Sequence, residues 1–304
     1  MKYLVTGGAG FIGSHIVDRL LADGQQVRVL DNFSSGKREN LPPGDTVEII
    51  EGDVGDFDTV RKAMEGVDIA FHEAAIASVP DTVRDPLSSA RVNYVGTVNV
   101  LEAARQAGTK RVMFADSAAV YGDLPELPKR EDMPVKPLSP YAIDKLASED
   151  ACRVYHHLYG LETVCLRYFN VFGPRQDPSS SYSGVISIFS DALKNGKRPL
   201  IFGDGEQTRD FVYVADVVEA NIRAATAPDA AGRAINVATG STITVNDMLK
   251  TICKLQGAEF DPEYQPAREG DIRHSYADIS SARELLQWQP VVAFEDGLKK
   301  LFES

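Results

Sequence analysis

A tyrosine and a lysine four residues apart, Tyr141 and Lys145, have the types and spacing of an acid–base pair. Ser139 suits the N-cap of a helix and Pro140 its first turn, so the spacing predicts a helix that carries both side chains on one face. An ammonium group next to a phenol lowers a phenolic pKa that is near 10 when unperturbed. The pair could therefore act as a general base toward a substrate hydroxyl group.

A second set of residues has the spacing of a dinucleotide-binding loop. Residues 6–13 read T-G-G-A-G-F-I-G, between the predicted strand Lys2–Thr6 and a helix that starts near Gly13. Gly7, Gly10 and Gly13 permit a tight turn and a close approach of the backbone to a pyrophosphate, which the N-terminus of the helix would bind. The glycines lie in the strand–loop–helix context that this function requires.

An acidic residue follows the next predicted strand, Gln26–Leu30, about 20 residues after the glycine loop. At this position Asp31 would accept hydrogen bonds from the hydroxyl groups of an adenine ribose. Because a carboxylate there repels a 2′-phosphate, the sequence predicts NAD rather than NADP. Asp53 and Val54, directly after the third predicted strand, are candidates for contact with the adenine.

The first half of the chain alternates short apolar strands with amphipathic helices. This alternation with short connections predicts an α/β fold with a doubly wound parallel sheet of the Rossmann type. The predicted strands are Lys2–Thr6, Gln26–Leu30, Val47–Glu51, Ile69–Phe71, Arg111–Ala115 and Thr163–Tyr168. The predicted helices are Gly13–Ala22, Asp58–Met64, Ser89–Gln106 and Pro140–Tyr159.

The alternation ends near Asn170, where a segment rich in glycine, proline and serine begins. We predict a NAD-binding Rossmann domain over residues 1–170, with about 205–240 returning to its sheet. Residues 171–204 and 241–304 are predicted to form a smaller C-terminal substrate-binding lobe.

Composition and charge exclude several classes of protein. The formal net charge of −12 argues against nucleic acid or an anionic membrane as a partner. No apolar run is long enough to cross a bilayer, and the first residues lead into a strand rather than a signal peptide. The three cysteines have no C-x-x-C spacing, so neither a disulfide framework nor a metal site is expected. We expect a cytoplasmic protein.

Several motifs resemble those of the extended short-chain dehydrogenases/reductases, and within them the NAD-dependent nucleotide-sugar 4-epimerases. The resemblance covers essentially the full length of the chain. The motifs are T-G-G-A-G-F-I-G-S-H (6–15), S-A-A-V-Y-G-D (117–123), S-P-Y-A-I-D-K (139–145), L-R-Y-F-N-V-F-G-P-R-Q-D-P (166–178), G-D-G-E-Q-T-R-D-F (203–211) and R-E-G-D-I-R-H-S (268–275).

The resemblance implies roles for individual residues. Tyr141 is then the base, Ser117 hydrogen-bonds the reacting oxygen, and Lys145 binds the nicotinamide ribose. The positions that match the NAD site of the family are Gly7, Gly10, Phe11, Ile12, Gly13, Asp31, Asn32, Asp53, Val54, Asn93, Tyr141, Lys145 and Tyr168. The positions that match its UDP-sugar site are Ser78, Ser117, Tyr141, Asn170, Gln176, Arg209, Arg268, Asp271 and Ser275. Of these, Arg209 and Arg268 have the cationic groups that a diphosphate requires.

Two alanines after Ser117 narrow the reaction class. Dehydratases need an acid and a base to eliminate across C5 and C6 of the sugar, and families resembling this one place acidic residues before the V-Y-G turn. The methyl groups of Ala118 and Ala119 cannot carry protons. What remains is oxidation at C4, a turn of the 4-keto sugar and return of the hydride to its other face, which regenerates NAD in each cycle. The sequence therefore predicts a 4-epimerase.

The substrate is predicted from two positions of the matching motifs. Ser275 leaves room for an N-acetyl group that a bulky tyrosine would resist, and the segment around Gln176 looks most like epimerases of UDP-N-acetylglucosamine and UDP-N-acetylgalactosamine. Interconversion of these two sugars is the predicted reaction. Epimerases of UDP-glucose and UDP-galactose or of UDP-glucuronate remain alternatives, and a non-catalytic NAD-binding regulatory protein is the alternative from another class.

Two further expectations come from the comparison with the family. Homodimerisation is expected through the helices Ser89–Gln106 and Pro140–Tyr159. Asp116 stands where many epimerases have a serine, and we expect it to have a structural role near Ser117.

Overall fold

The computed structural model describes residues 1–176, 184–267 and 272–303. Its strands are β1 Lys2–Thr6, β2 Gln26–Asp31, β3 Glu48–Glu51, β4 Ile69–His72, β5 Arg111–Ser117, β6 Glu162–Tyr168, β7 Asn170–Phe172, β8 Leu200–Phe202, β9 Thr208–Arg209, β10 Phe211–Tyr213, β11 Arg233–Val237, β12 Ile243–Thr244 and β13 Glu263–Gln265. Its α-helices are α1 Phe11–Ala22, α2 Phe57–Met64, α3 Val79–Arg84, α4 Pro86–Ser89, α5 Gly96–Ala107, α6 Pro140–Tyr159, α7 Val185–Lys194, α8 Val214–Ala224, α9 Val245–Gln256, α10 Ser280–Leu285 and α11 Phe294–Glu303.

Seven parallel strands form the main sheet, in the order β11-β6-β5-β4-β1-β2-β3. The strand order reverses between β1 and β4, which is the point where doubly wound sheets bind ligands at the carboxyl ends of their strands. Apolar cores lie on both faces of the sheet, and successive residues of β1 alternate between them. Val5 packs in the core on one face and Leu4 in the core on the other. The predicted Rossmann-type α/β fold is confirmed by this sheet, whose central strands β1, β4, β5 and β6 are buried on both faces.

Three strands extend past their predicted ends into polar residues. β2 continues to Asp31, which pairs with Glu51, β4 to His72, which pairs with Phe114, and β5 to Ser117, which pairs with Tyr168. The apolar pattern stops earlier than the hydrogen-bonded ladder because the last residues face the ligand edge of the sheet rather than a core. The polar side chains at this edge are consequently held by regular strand geometry.

The predicted helix Ser89–Gln106 is interrupted by a π-helical turn over Ala90–Val95 before α5 begins. The carbonyl oxygen of Asn93 accepts hydrogen bonds from the hydroxyl groups of Thr97 at 2.5 Å and Ser148 at 3.1 Å. Side-chain donors thus bond this carbonyl at the irregular turn, and such turns are frequent at functional sites.

The second half of the chain builds a separate apolar core and three small sheets. β7 pairs with β10, β9 with β12 and β8 with β13. Buried residues of the smaller core include Phe172, Phe189, Met248 and Leu298. β11 returns to the main sheet beside β6. The division into a NAD-binding domain and a substrate lobe stays a prediction. No helix of the described ranges is long and apolar enough to cross a membrane.

Candidate active site

At two positions of the glycine loop between β1 and α1, a side chain would collide with backbone atoms. Gly7 has a φ of +67°, and a Cβ atom there would lie 2.7 Å from the backbone nitrogen of Ala74. A Cβ atom on Gly13 would lie 2.2 Å from the carbonyl oxygen of Gly7. At Gly10 the same oxygen would be 3.1 Å away, which is tight but much less severe. The loop therefore requires glycine at Gly7 and Gly13 for steric reasons.

Helix α1 starts directly at this loop, with Gly10 as its N-cap and no side chain that caps it. The first N–H groups of a helix, here including those of Phe11 and Ile12, have no partner within the helix. Together with the helix dipole they form a site for an anion. The bare backbone of the glycine loop and these N–H groups fit the pyrophosphate of a dinucleotide.

Asp31, the last residue of β2, is buried beside the glycine loop. Its two oxygen atoms accept hydrogen bonds from the backbone N–H groups of Ala9 at 2.9 Å and Phe33 at 2.8 Å. The next residue, Asn32, accepts a hydrogen bond from the N–H of Ser34 at 3.0 Å. Asp31 thus joins the glycine loop to the loop after β2, which is where an adenine ribose would meet its carboxylate.

Asp53 was predicted to contact the adenine, and the structure shows two protein partners for it. Its carboxylate accepts a hydrogen bond from the N–H of Gly55 at 2.7 Å and forms an ion pair with Arg91 at 2.8 Å. Val54 is buried, and its carbonyl oxygen accepts a hydrogen bond from Asn99 at 2.9 Å. Both residues hold the loop after β3 against the helices that follow β4, and their contact with adenine stays a prediction.

The predicted catalytic residues lie on two adjacent elements. Ser117 ends β5, whereas Tyr141 and Lys145 lie in the first turns of α6, which Ser139 caps by accepting a hydrogen bond from the N–H of Ala142 at 3.2 Å. The Lys145 ammonium donates to the carbonyl oxygen of Ala115 on β5 at 2.6 Å and lies 5.7 Å from the centre of the Tyr141 ring. The structure thus brings the acid–base pair to the end of the strand that carries Ser117.

A buried acidic pair lies beneath these residues. Asp116 on β5 and Glu149 on α6 lie close enough for each carboxyl group to alter the pKa of the other. Glu149 also forms two hydrogen bonds with Arg167, both of 2.7 Å, while Asp116 is 3.7 Å from that guanidinium group. Among the described residues, no N–H or hydroxyl group donates to either oxygen of Asp116. Two adjacent buried carboxyl groups repel each other when both are ionised, so this arrangement favours the neutral form of Asp116.

This assignment agrees with the direction in which each acid titrates. Burial, followed by the Glu149 carboxylate, raises the pKa of Asp116 well above its ordinary value. Burial opposes ionisation of Glu149 too, but the hydrogen bonds from Asp116 and Arg167 lower its pKa below the ordinary value. The expected structural role of Asp116 is therefore specific: in its neutral form it lies beside the Glu149–Arg167 ion pair without repelling Glu149.

Replacing Asp116 with asparagine is expected to stabilise the protein at high pH. Because the pKa of Asp116 is raised in the folded state, its stabilising proton is fully retained below the unfolded pKa and is lost as the pH rises through the folded pKa. An amide is neutral at every pH. The melting temperatures of wild type and Asp116→Asn should therefore be similar near pH 5 and differ by about 2–4 °C at pH 9, with the variant higher. If the two proteins differed in melting temperature by the same amount at pH 5 and at pH 9, the protonated state of Asp116 would be contradicted.

Asn93 and Tyr168, predicted as supporting positions, contact other parts of this edge of the sheet. The Asn93 side chain accepts a hydrogen bond from the N–H of Ile76 at 2.7 Å and donates to its carbonyl oxygen at 3.1 Å. Tyr168 donates to Glu73 at 3.0 Å and accepts from Asn221 at 2.7 Å. Both side chains hold the loop after β4, so the structure gives each of them a positioning role.

Sequence reasoning missed two polar residues at the end of β4: His72, its last residue, and Glu73, which follows it. His72 bridges Thr6 at 2.7 Å and Thr97 at 3.0 Å, and burial lowers its pKa to about 3, so it is neutral. Since the Thr97 hydroxyl donates to Asn93, it accepts from His72, and the ring proton belongs on Nε2. A polar pair directly after a buried parallel strand is a signal that could have identified this loop.

The predicted substrate positions of the described chain lie around β7 and β9. The Asn170 amide donates to the carbonyl oxygen of Asp210 at 2.9 Å, and the Ser275 N–H donates to Thr208 at 3.2 Å, next to Arg209. Gln176 donates to Val171 at 3.4 Å.

The remaining predicted substrate positions lie apart from this group or outside the structure. Ser78 caps α3, on the loop after β4, by accepting a hydrogen bond from the N–H of Asp81. Arg268 and Asp271 lie outside the described residues.

Asp210 holds the loops of this group together. Its buried carboxylate accepts hydrogen bonds from the N–H groups of Thr239 at 2.8 Å, Gly240 at 2.9 Å and Ala277 at 3.3 Å. Three segments distant in sequence are thus joined directly next to Arg209. Within the described ranges, His, Cys, Asp and Glu side chains form no group of three that could bind a metal ion.

Residues 3–238 match the sequence profile of the NAD dependent epimerase/dehydratase family. The chain is 46% identical over 308 residues to a UDP-glucose 4-epimerase of Mycolicibacterium smegmatis, covering 100% of this chain and 98% of the relative. Two solved structures are similar over nearly all of both chains. One is a UDP-N-acetylglucosamine 4-epimerase from Methanobrevibacter ruminantium in complex with UDP-N-acetylmuramic acid (TM-score 0.94, 42% identity, coverage 99% and 97%). The other is a Thermus thermophilus UDP-glucose 4-epimerase in complex with NAD (TM-score 0.90, 40% identity, coverage 100% and 98%).

These similarities extend over the glycine loop, the Tyr141–Lys145 helix and the smaller lobe together. Sequence identity of this extent over the full chain, with the same fold, cannot come from the common Rossmann architecture alone. The chain belongs to the NAD dependent epimerase/dehydratase family.

Proposed function

We propose that the protein is a UDP-sugar 4-epimerase with bound NAD, and that UDP-N-acetylglucosamine and UDP-N-acetylgalactosamine are its substrates. The observation that carries the reaction class is the end of β5. There Lys145 of the Tyr141–Lys145 pair reaches the carbonyl oxygen of Ala115, two residues before Ser117, whereas Ala118 and Ala119, the first two residues of the turn that follows, have only methyl groups. Acid–base groups for work at C4 are present, and these two positions offer none for an elimination at C5 and C6.

The chain's own residues supply the proton chemistry. The Lys145 ammonium beside the Tyr141 ring stabilises a phenolate, which removes the proton of the sugar C4 hydroxyl group. Ser117 hydrogen-bonds the same oxygen as it becomes a carbonyl. NAD, when bound, supplies the carbon that takes up the C4 hydride and returns it. For return to the other face, the 4-keto sugar must turn while its nucleotide remains bound in the smaller lobe.

The cofactor assignment is supported by the steric fit of the glycine loop and by Asp31. Gly7, Gly10, Phe11, Ile12 and Gly13 would bind the pyrophosphate, and Asp31 with Asn32 would bind the adenine ribose. Lys145 would bind the nicotinamide ribose. The solved Thermus thermophilus relative is a complex with NAD, which supports the same cofactor here.

The substrate assignment is supported by the surroundings of Ser275. This small side chain is half-buried and lies in the segment that pairs with Thr208, next to Arg209. Arg209 and Arg268 would bind the diphosphate, with Asn170, Gln176, Asp271 and Ser78 as further contacts. A hydroxymethyl group at Ser275 occupies much less volume than a tyrosine and leaves space for an acetamido group.

The test is incubation of the purified protein, without added cofactor, with UDP-N-acetylglucosamine, UDP-glucose or UDP-glucuronate, with products resolved by NMR. We expect conversion of the N-acetylated sugar. In Ser275→Tyr this conversion should fall about a hundredfold relative to UDP-glucose, because filling the space costs about 3 kcal/mol.

Three results would decide against parts of the proposal. Conversion of UDP-glucose alone by the wild type would keep the mechanism but refute the role of Ser275. Conversion of UDP-glucuronate alone would replace the substrate. If no UDP-sugar were converted even after NAD is supplied, the epimerase assignment would fail.

We also propose a cytoplasmic homodimer. The support is a set of exposed apolar side chains on the two predicted interface helices: Tyr94 and Val95, and on α6 Ile143, Val154, Leu158 and Tyr159. Single exposed apolar residues are common, whereas a group of this size on adjacent helices is typical of an interface. A monomer in analytical ultracentrifugation would contradict the dimer.

A further inference from the structure

Helix α1 has two faces that pack against different parts of the protein. Ile16 and Val17 pack in the core on one face of the main sheet. Phe11, His15 and Asp18 follow the i, i+4, i+7 spacing of a second face. Phe11 packs against the core of the smaller lobe and contacts the His15 ring edge to face, with 6.1 Å between the ring centres. The helix whose first turn would bind the pyrophosphate of NAD therefore contacts both cores.

The second face of α1 holds residues 173–176, which follow β7. His15 and Asp18 contact two successive residues of this segment. The Nε2 atom of His15 lies 3.0 Å from the carbonyl oxygen of Pro174, and the Asp18 carboxylate forms an ion pair of 2.7 Å with Arg175. A hydrogen bond and an ion pair from one face of one helix thus hold adjacent residues of the segment.

The His15 ring is the donor in its hydrogen bond. Burial lowers the pKa of His15, and the hydrogen bond to Pro174 opposes this shift only in part, so the ring is neutral near pH 7. Because a carbonyl oxygen can only accept, the proton of the neutral ring belongs on Nε2. A leucine at this position would remove the donor, whereas the side-chain amide of a glutamine could replace it.

Residues 173–176 adopt a backbone conformation that needs support from the surrounding structure. Arg175 has a φ of +65°, in the left-handed region that residues other than glycine seldom adopt. Gly173 is confined from the other side, because a Cβ atom there would lie 2.5 Å from a methyl group of Val214 at the start of α8. The segment therefore lies between α8 and α1, and the contacts from α1 stabilise its conformation.

Two of the predicted substrate positions lie at the ends of this stretch of chain. Asn170 is the first residue of β7, and Gln176 is the last residue of the segment. The N–H of Gln176 donates to the carbonyl oxygen of Gly173 at 3.4 Å, so the turn between them sets where Gln176 lies. Displacement of Pro174 and Arg175, the two residues inside this turn, would therefore move Gln176 relative to Asn170.

We propose that His15 and Asp18 are positioning residues for the substrate: they anchor residues 173–176 on α1 and thereby place Gln176 beside the UDP part of the UDP-sugar. This inference rests on the proposed function, because Gln176 has this role only if a nucleotide sugar binds. The sugar itself must reach the end of β5, whereas the anchored segment belongs to the predicted substrate lobe. Neither contact involves β5 or α6, so substrate affinity should change while turnover of the bound substrate does not.

The first experiment measures by calorimetry how tightly the NAD-loaded protein binds UDP, the part that all candidate substrates share. The dissociation constant should rise about fivefold in His15→Leu, which removes the donor to Pro174, and stay near the wild-type value in His15→Gln, which restores a donor. In Asp18→Asn, which weakens a half-exposed ion pair, the expected rise is about threefold. The control Asp58→Asn changes an exposed ion pair on α2 in the same way and should leave the affinity unchanged.

Two outcomes of this measurement would overturn the proposal. One is a wild-type affinity for UDP in His15→Leu. The other is an equal loss of affinity in His15→Leu and His15→Gln, because packing of the ring rather than its hydrogen bond would then be responsible. Melting temperatures of the same proteins show that each variant is folded at the temperature of the titration.

The second experiment separates substrate positioning from catalysis. With each UDP-sugar that the wild type converts, His15→Leu should have a KM about fivefold higher, a kcat within about twofold of the wild type and an unchanged content of NAD. A lower kcat at unchanged KM would overturn the proposal. If the wild type binds UDP but converts no UDP-sugar, the proposed function fails while the UDP affinities still decide the role of His15. A wild-type protein that does not bind UDP would refute both.

Discussion

Replacing Tyr141 with phenylalanine is expected to lower kcat for UDP-sugar epimerisation by about 10²–10⁴-fold, the usual contribution of a general base. The ring remains in place beside Lys145, so the change removes one hydroxyl group and leaves the packing of α6 intact. The Lys145 ammonium keeps its hydrogen bond to Ala115, because that bond does not involve the phenol. Bound NAD should therefore be retained in the variant while turnover is lost.

The matched control is Tyr159→Phe, which removes the same hydroxyl group from the last turn of the same helix, where the side chain is 54% exposed. This variant should keep wild-type turnover. NMR of the product mixture measures both variants, and the NAD released on denaturation shows whether each one is loaded. Unchanged turnover in Tyr141→Phe would refute the assignment of Tyr141 as the base.

Replacing Gly13 with alanine is expected to weaken NAD binding by about a hundredfold, since overpacking a closed site costs about 3 kcal/mol. The added Cβ atom would lie 2.2 Å from the carbonyl oxygen of Gly7. Both contacting atoms belong to the loop that would hold the pyrophosphate, so relief of the clash must open that loop. The affinity for NAD is measured by calorimetry on protein from which the cofactor has been removed.

Two other glycines provide graded controls for this effect. In Gly10→Ala the contact with the same oxygen is 3.1 Å, so a smaller loss of affinity is expected. In Gly184→Ala no atom lies within 4 Å of the added group, and affinity should be unchanged. If Gly13→Ala bound NAD as tightly as Gly184→Ala does, the glycine loop would not be the pyrophosphate site.

Asp116 and Glu73 show how the pKa of an acid at the end of a strand depends on residues from other elements. Asp116 lies next to Ser117 in sequence, yet its charge state is set by Glu149 on α6 and by burial. Glu73 lies 95 residues from Tyr168, which orients it. Each acid has an altered pKa because the parallel sheet removes it from water and brings charged groups from neighbouring elements against it.

The local features of this protein can be predicted from its amino-acid sequence. Gly7, Gly10 and Gly13 are spaced for one turn between β1 and α1, and Tyr141 and Lys145 are spaced for one face of one helix. Such short separations are fixed by the geometry of a single secondary-structure element or turn, so they can be read without a fold. The alternation of strands and helices predicted the parallel sheet for the same reason.

The contacts between side chains that are distant in sequence depend on the tertiary structure. The strand order places β4, β5 and β6 side by side, and this order brings Glu73, Ser117 and Tyr168 together at one edge. Likewise, the hydrogen bonds of Asn93 with Ile76 and of Asp210 with two other segments join parts of the chain whose separation follows no helical or strand period. A carboxyl group at a strand end looks the same in sequence whether it contacts water, a second acid or a tyrosine hydroxyl group. Burial and neighbouring charges distinguish these cases, and both are properties of the folded chain.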